Sequence, residues 1–170
     1  RLFSTRPLEN GRNVVIVGGV RLPFAQASTI YHDEMAVDLQ RLAIKGLIDQ
    51  TALPKDVIDY VVCGNVIQEV KTSNIAREAA VNAGLPYNIP SHTVSQACIS
   101  ANAAIATGAA SIQAGHADVV IAGGVETFSD VPIRLTRPIR QKLITLPKAI
   151  KKGGAIGAIR HLHKGLKAKD

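Results

Sequence analysis

Apolar and polar positions along this chain switch between two periods. Asn13–Val20 (NVVIVGGV) is a short continuous apolar run, which predicts a strand buried on both faces. From Asp33 to Gln50 the apolar residues recur at helical spacing, with Ala36, Leu39, Ala43 and Leu47 on one face, and Pro54 closes the connection that follows. Tyr60–Ile67 is a second apolar run. Thr72 and Ser73 offer caps for a short helix that turns Ile75, Ala76, Ala79, Ala80 and Ala83 inward, and Gly84 with Pro86 stops it. His92–Ala97 reads as a third strand, Cys98–Ala114 as a third helix and Asp118–Val125 (DVVIAGGV) as a fourth strand. Strand and helix alternate throughout. The expected fold class is therefore α/β, built of βαβ units whose right-handed crossovers leave a mainly parallel sheet.

Between Ala79 and Ala117 there is no Asp, Glu, Lys or Arg. A helix without charge on any face is expected to be buried on all sides of a layered domain. A bilayer span fits poorly, because Pro86 and Pro90 break the stretch, Asn102 and Gln113 interrupt it, and Ala and Gly stand where a lipid-facing helix carries Leu, Ile and Val.

With 170 residues and 46% hydrophobic content the chain can bury a sizeable core, while 4% aromatic content argues against stacking on bases or sugars. The net charge of +7 is unevenly placed. Residues 1–132 carry 9 Lys and Arg against 12 Asp and Glu, and residues 133–170 carry 11 against 1, so the basicity belongs to the tail. These shifts suggest three stretches. Residues 1–12, Arg-rich with Glu9 as the single acid, suit either the end of a mitochondrial transit peptide or a disordered terminus. Residues 13–132 form the domain, and 133–170 a basic loop region.

Two cysteines, Cys63 and Cys98, make no disulfide framework and suit a reducing compartment. Cys63 lies in the apolar run Tyr60–Ile67 and reads as core. Neither combines with His32, His92, His116, His161 or His163 in a zinc spacing, so no metal site is expected. Gly18 and Gly19 lack the G-x-G-x-x-G spacing of a dinucleotide site, and Pro23 follows where a helix should start. Cys98 is different. It stands between a strand and a helix, where helix N-terminal amides and the positive end of the dipole favour thiolate over thiol. Parallel sheets also place ligands beyond the carboxyl ends of their strands. On position alone a nucleophile and a buried structural cysteine both remain open. His92, six residues before Cys98, is about 20 Å away along an extended strand and is no partner for it; His116 is similarly remote.

The residues around Cys98 resemble the active-site helix of the thiolase family. That pattern reads aliphatic, small polar, two free positions, Cys, small or aliphatic, Ser or Thr, small, and Val94, Ser95, Cys98, Ile99, Ser100 and Ala101 fill it; Asn102, Ala104, Ile105 and Ile112 continue the match. The stretches VIQEVKTSNIAREAA (Val66–Ala80) and AGGVETFSDVPIR (Ala122–Arg134) extend it. Many thiolases have Asn at the place of Ser95 and Gly at the place of Ala101, and these departures favour the trifunctional-enzyme branch of the family. Thiolases resemble two similar halves in one chain, so this sequence looks like the first half, with a truncated loop region.

The resemblance implies a 3-ketoacyl-CoA thiolase of mitochondrial fatty-acid β-oxidation working by ping-pong acyl transfer. Cys98 would be the acyl-thioester nucleophile, its backbone N–H would donate to the oxyanion, and coenzyme A would be a co-substrate with no permanently bound cofactor. Implied partners are 3-ketoacyl-CoA, a second thiolase copy in a dimer, and a hydratase/dehydrogenase alpha subunit. The family's other machinery is a Gly-His-Pro histidine, a His-Glu-Ala-Phe motif and a second cysteine before a Gly-rich turn. None occurs in these 170 residues, so they are expected to be inactive alone. A condensing enzyme of the ketoacyl-synthase type and a non-catalytic partner- or membrane-binding fragment are the alternatives.

In the tail, Ile156, Ile159, Leu162 and Leu166 recur at helical spacing among Arg160, Lys164, Lys167 and Lys169, interrupted by Pro147, Gly153, Gly154 and Gly157. Two readings stand side by side: a solvated basic loop, or an amphipathic contact with an anionic surface such as the cardiolipin-rich inner mitochondrial membrane. A positive tail binds any polyanion, but no readout motif accompanies it, so nucleic acid is not expected.

Overall fold

The structure, a computed structural model, describes residues 12–163. The chain divides into two compact units, ending and starting at Pro132 and Ile133. In the first unit the described elements are α1 (Ala36–Thr51), a 3₁₀ turn (Lys55–Val57), β1 (Tyr60–Gly64), α2 (Ile75–Asn82), β2 (Ser91–Val94), α3 (Ser100–Gln113) and β3 (Val120–Gly124). The strands form a parallel sheet in the order β2-β1-β3. This is the α/β architecture of alternating strands and helices that the hydrophobic pattern implies.

The central strand explains the sheet. Val61, Val62 and Cys63 on β1 have no exposed surface, as a strand covered on both faces requires. Burying each large side chain of this kind stabilises the fold by about 1.5–3 kcal/mol. Around Val61 and Cys63 pack Ile44 and Ile48 of α1, Ile75, Ala76, Ala79 and Ala80 of α2, and Ile121 of β3. Small side chains on α2 bring it close to the sheet, and its start is tied there: Asn74 caps it by accepting from the Arg77 N–H at 3.2 Å, and donates to the Ser91 carbonyl at 3.0 Å.

Several expectations change. Asn13–Val20 is not a strand: it pairs with nothing among the described residues, and Val15, Ile16 and Val17 are exposed. An apolar run becomes a strand only where a neighbour completes its hydrogen bonds, and composition cannot report the neighbour. On α1 the fully buried residues are Leu39, Gln40, Ile44 and Ile48; of the expected face Leu39 is among them, and Ala36 and Leu47 pack partly buried against the core. The cap of α2 is Asn74, not Thr72 or Ser73. β1 ends at Gly64, β2 at Val94, and α3 starts at Ser100, two residues after Cys98.

α3 is not buried on all sides. It buries one stripe, Ser100, Ala104 and Gly108, while Ile105 is exposed on the other side. The absence of charge reported an apolar surface, not the presence of a cover for it.

In the second unit the expected loop is instead helical. α4 (Arg137–His163) carries Pro147 within it and breaks at Gly153 and Gly154, where Gly154 takes φ 58° and ψ −152°, a conformation open to glycine alone. The two segments fold back on one another, with Lys142 Nζ donating to the Leu162 carbonyl at 3.0 Å and His161 Nε2 2.8 Å from Thr145 Oγ1. Ile156, Ile159 and Arg160 are exposed together, whereas Leu162 is half-buried. Lys164, Leu166, Lys167 and Lys169 lie outside the described residues, as do residues 1–11 of the expected leader. No helix among the described residues is long and apolar enough to cross a membrane.

Candidate active site

The three strands end level. Gly64 of β1 is in register with Val94 of β2 and Gly124 of β3, so everything that follows these residues gathers at one edge of the sheet. Cys98 is four residues beyond Val94, on the turn that links β2 to α3, and it is exposed.

That turn is sharp and internally bonded. Ala97, immediately before the thiol, is left-handed at φ 47°, a conformation that costs a residue with a Cβ about 1–2 kcal/mol. The surroundings hold it there. Ile99 N–H donates to the Gln96 carbonyl and Ser100 N–H to the Ala97 carbonyl, both at 3.2 Å. Ser100, buried, adds a second pair: its Oγ accepts from the Gln96 N–H at 2.8 Å and donates to the Ala97 carbonyl at 2.7 Å. One hydroxyl thus satisfies both sides of the turn and fixes the chain that carries Cys98.

Two glycines let the turn sit down on the sheet. A Cβ on Gly64 would overlap the backbone of Ser100 and Ala101 and stand 2.5 Å from the Ser100 carbonyl oxygen; one on Gly124 would lie 2.7 Å from the Gly64 carbonyl oxygen and 2.9 Å from Ala101 Cβ. Ala101, where many thiolases have Gly, is therefore at a place where a small side chain is required. Further along α3, a Cβ on Gly108 would lie 2.9 Å from Val120 Cγ1. The chemistry is set by contrast with the other thiol. Cys63 is sealed in the core, where burial pushes its pKa up to about 12, so it stays protonated and inert at neutral pH.

The remaining candidates are dispersed. His92 is engaged elsewhere, its Nδ1 2.6 Å from Tyr60 Oη on the neighbouring strand, and His116 is exposed beyond the end of α3. No described cluster of His, Cys, Asp and Glu has the makings of a metal site. Three features of this edge escaped the sequence reading: the glycine floor of Gly64 and Gly124, the Ser100 lock, and Glu126, whose carboxylate accepts from the Val66 N–H at 2.9 Å, the Ile67 N–H at 3.3 Å and Asn65 Nδ2 at 3.2 Å. Glycine as the last residue of β1 and of β3 was the available signal.

The comparisons with known proteins agree with this geometry. The family model for "Thiolase, N-terminal domain" matches residues 14–170. The chain is 53% identical over 150 residues to the mitochondrial trifunctional enzyme subunit beta of Homo sapiens, covering 88% of this chain and 32% of that protein. It is 51% identical over 149 residues to a probable 3-ketoacyl-CoA thiolase of Caenorhabditis elegans, with 88% and 33% covered. Among solved structures, the crystal structure of the Bacillus anthracis acetyl-CoA acetyltransferase matches with a TM-score of 0.63 and 30% identity, over 66% of this chain and 28% of that one. The chain spans about a third of the length of these relatives. With the parallel sheet, the glycine-floored turn and a single exposed thiol at its head, the chain belongs to the thiolase family, as its N-terminal domain.

Proposed function

We propose that this chain supplies the nucleophile half of a 3-ketoacyl-CoA thiolase of mitochondrial fatty-acid β-oxidation. The observation that carries the reading is the placement of Cys98: an exposed thiol on a locked turn, at the carboxyl edge of a parallel sheet and the head of a helix. In the proposed ping-pong reaction the Cys98 thiolate attacks the 3-keto carbonyl of a 3-ketoacyl-CoA. The carbon–carbon bond breaks, acetyl-CoA leaves after its carbanion is protonated, and the acyl group remains as a thioester on Cys98. A second molecule of CoA, acting as co-substrate, then takes that acyl group and returns the free thiol. The backbone N–H of Cys98 is the proposed oxyanion donor, a role typically worth about 3 kcal/mol.

The proton-handling residues are expected from the other half. Neither His92 nor His116 is placed to serve Cys98, and the family's Gly-His-Pro, His-Glu-Ala-Phe and second-cysteine motifs are not among these residues. The second half would also cover the charge-free outer face of α3 around Ile105 and the exposed Val15–Val17 run. A second thiolase copy and a hydratase/dehydrogenase alpha subunit are the proposed protein partners, supported by identity to a subunit of a trifunctional enzyme. The basic α4 hairpin, with Ile156, Ile159 and Arg160 exposed side by side, is the proposed contact with the cardiolipin-rich inner mitochondrial membrane.

The test is an acyl trap. In a protein that joins these residues to a thiolase second half, incubation with a 3-ketoacyl-CoA in the absence of CoA should add the acyl mass to the Cys98 peptide. Cys98→Ser should abolish the adduct and Cys63→Ser should keep it. An undiminished adduct in the Cys98→Ser protein would overturn the assignment, and CoA-dependent cleavage by residues 1–170 alone would overturn the division of labour.

A further inference from the structure

We propose that Glu126 is a positioning residue for Cys98: its carboxylate staples the Asn65–Ile67 loop to the end of β3 and thereby holds the glycine floor on which the nucleophile turn stands. The proposal rests on the reading of Cys98 as the reactive thiol.

Glu126 follows β3 by two residues, beyond Gly124 and Val125. Its Oε2 accepts from the Val66 N–H at 2.9 Å and the Ile67 N–H at 3.3 Å; its Oε1 accepts from Asn65 Nδ2 at 3.2 Å and the Ile67 N–H at 3.3 Å. Asn65 is the knot of the arrangement. It is 2% exposed, donates through Nδ2 to the Val125 carbonyl at 3.0 Å and through its backbone N–H to the Val94 carbonyl at 3.1 Å. Val125 N–H completes the set by donating to the Gly64 carbonyl at 3.0 Å. The ends of all three strands are therefore bound together at Asn65 and Glu126, and the chain leaving one of them, after Val94, carries Cys98.

The coupling to the thiol runs through contact. Gly64, next to Asn65, lies directly under the Ser100 and Ala101 backbone, and Gly124 touches Ala101. If the loop after β1 relaxes, the floor under the first turn of α3 moves, and the turn that carries Cys98 moves with it. Charge-assisted bonds from backbone amides to a carboxylate are stronger than neutral ones, so a single side chain suffices for the staple. A general-base role for Glu126 fits less well, since both oxygens already accept from amide donors that proton abstraction would have to displace.

The experiment is iodoacetamide labelling of the full 170-residue chain at neutral pH, read peptide by peptide. Cys63 serves as an internal monitor of unfolding, because it is sealed in the core. In Glu126→Ala the Cys98 labelling rate at neutral pH should fall about tenfold, as expected for the loss of charge-assisted hydrogen bonds from a fixed geometry. Glu126→Gln, which keeps one acceptor oxygen, should lie between Ala and wild type. Cys63 should stay unlabelled. An unchanged Cys98 rate in Glu126→Gln and Glu126→Ala would overturn the proposal, and so would slower labelling accompanied in both variants by labelling of Cys63, which would make the staple a matter of global stability. If Glu126→Ala alone unfolds, Glu126→Gln decides. Labelling needs no turnover, so failure of the thiolase reading would show in the acyl trap and not here.

Discussion

Two pairs of glycines serve opposite purposes in this chain. At the carboxyl edge of the sheet, Gly64 and Gly124 are places where a side chain would collide with the first turn of α3. In α4, a side chain on Gly153 or Gly154 would meet nothing within 4 Å; these residues only turn the backbone. The first region is determined by tertiary packing against the start of the helix that follows Cys98. The second is determined by local conformation, with no buried residue along its helix. Precise chemistry belongs where neighbours fix the backbone, and an adaptable surface contact belongs where they do not.

The contrast can be broken most severely at the floor. Gly64→Ala should destabilise the first unit by about 3 kcal/mol or more, because the added carbon meets backbone that cannot step aside; a urea melt followed by circular dichroism would measure it, and a loss below 1 kcal/mol would mean the floor is soft. At the hinge, Gly154→Ala should cost about 1–3 kcal/mol through backbone conformation alone. Thermal melting of the hairpin in a peptide spanning residues 133–170 would read it, and an unchanged melt would show that the turn can be made without glycine.

Charge on the hairpin should have a smaller effect. Arg160→Glu should weaken binding to cardiolipin-containing vesicles by at least about 1 kcal/mol, and added salt should weaken the wild type. Ile156→Ser with Ile159→Ser should lower the part of binding that salt does not screen, since those side chains are the exposed ones. Equal binding to neutral and anionic vesicles would favour a merely solvated hairpin.

The smallest effect is expected away from both regions, at Asp59. Its carboxylate accepts from the Val119 N–H at 3.0 Å and the Asp118 N–H at 2.7 Å, tying the approach to β3 to the start of β1. These bonds, Val119 first, hold its pKa below the usual 3.8. A lowered folded pKa gives stability that is present above the unfolded value and is lost as pH falls through the folded one. Asp59→Asn should therefore melt slightly earlier than wild type at pH 7, with the gap closing below about pH 4, near the unperturbed aspartate value. A gap independent of pH would assign the effect to shape and not to charge.

Much of this architecture was legible because it repeats. The alternation of apolar runs with helical periods located three strands and three helices of the first unit, and the pattern from Val94 to Ala101 located the turn. What depends on a distant neighbour was not legible. Val15–Val17 has strand composition but lacks a described strand to pair with, and the charge-free α3 covers one face only. Glu126 looks like any acid after a strand until its reach to Asn65, Val66 and Ile67, some 60 positions earlier, is seen. A helix from Arg137 to His163 was not legible, since Pro147 and the glycines are helix breakers on average and left a loop and an amphipathic stretch side by side; here Pro147 is tolerated within the helix and the break is confined to Gly153 and Gly154.

The central claim is that the fold presents one thiol for chemistry and seals the other. Timed iodoacetamide labelling of the folded chain at pH 7.5, followed by peptide mass mapping, tests it most directly. Cys98 should be labelled while Cys63 remains free until urea unfolds the chain, in keeping with a Cys63 pKa of about 12 in the native state. Labelling of Cys63 at a rate comparable to Cys98 under native conditions would contradict it.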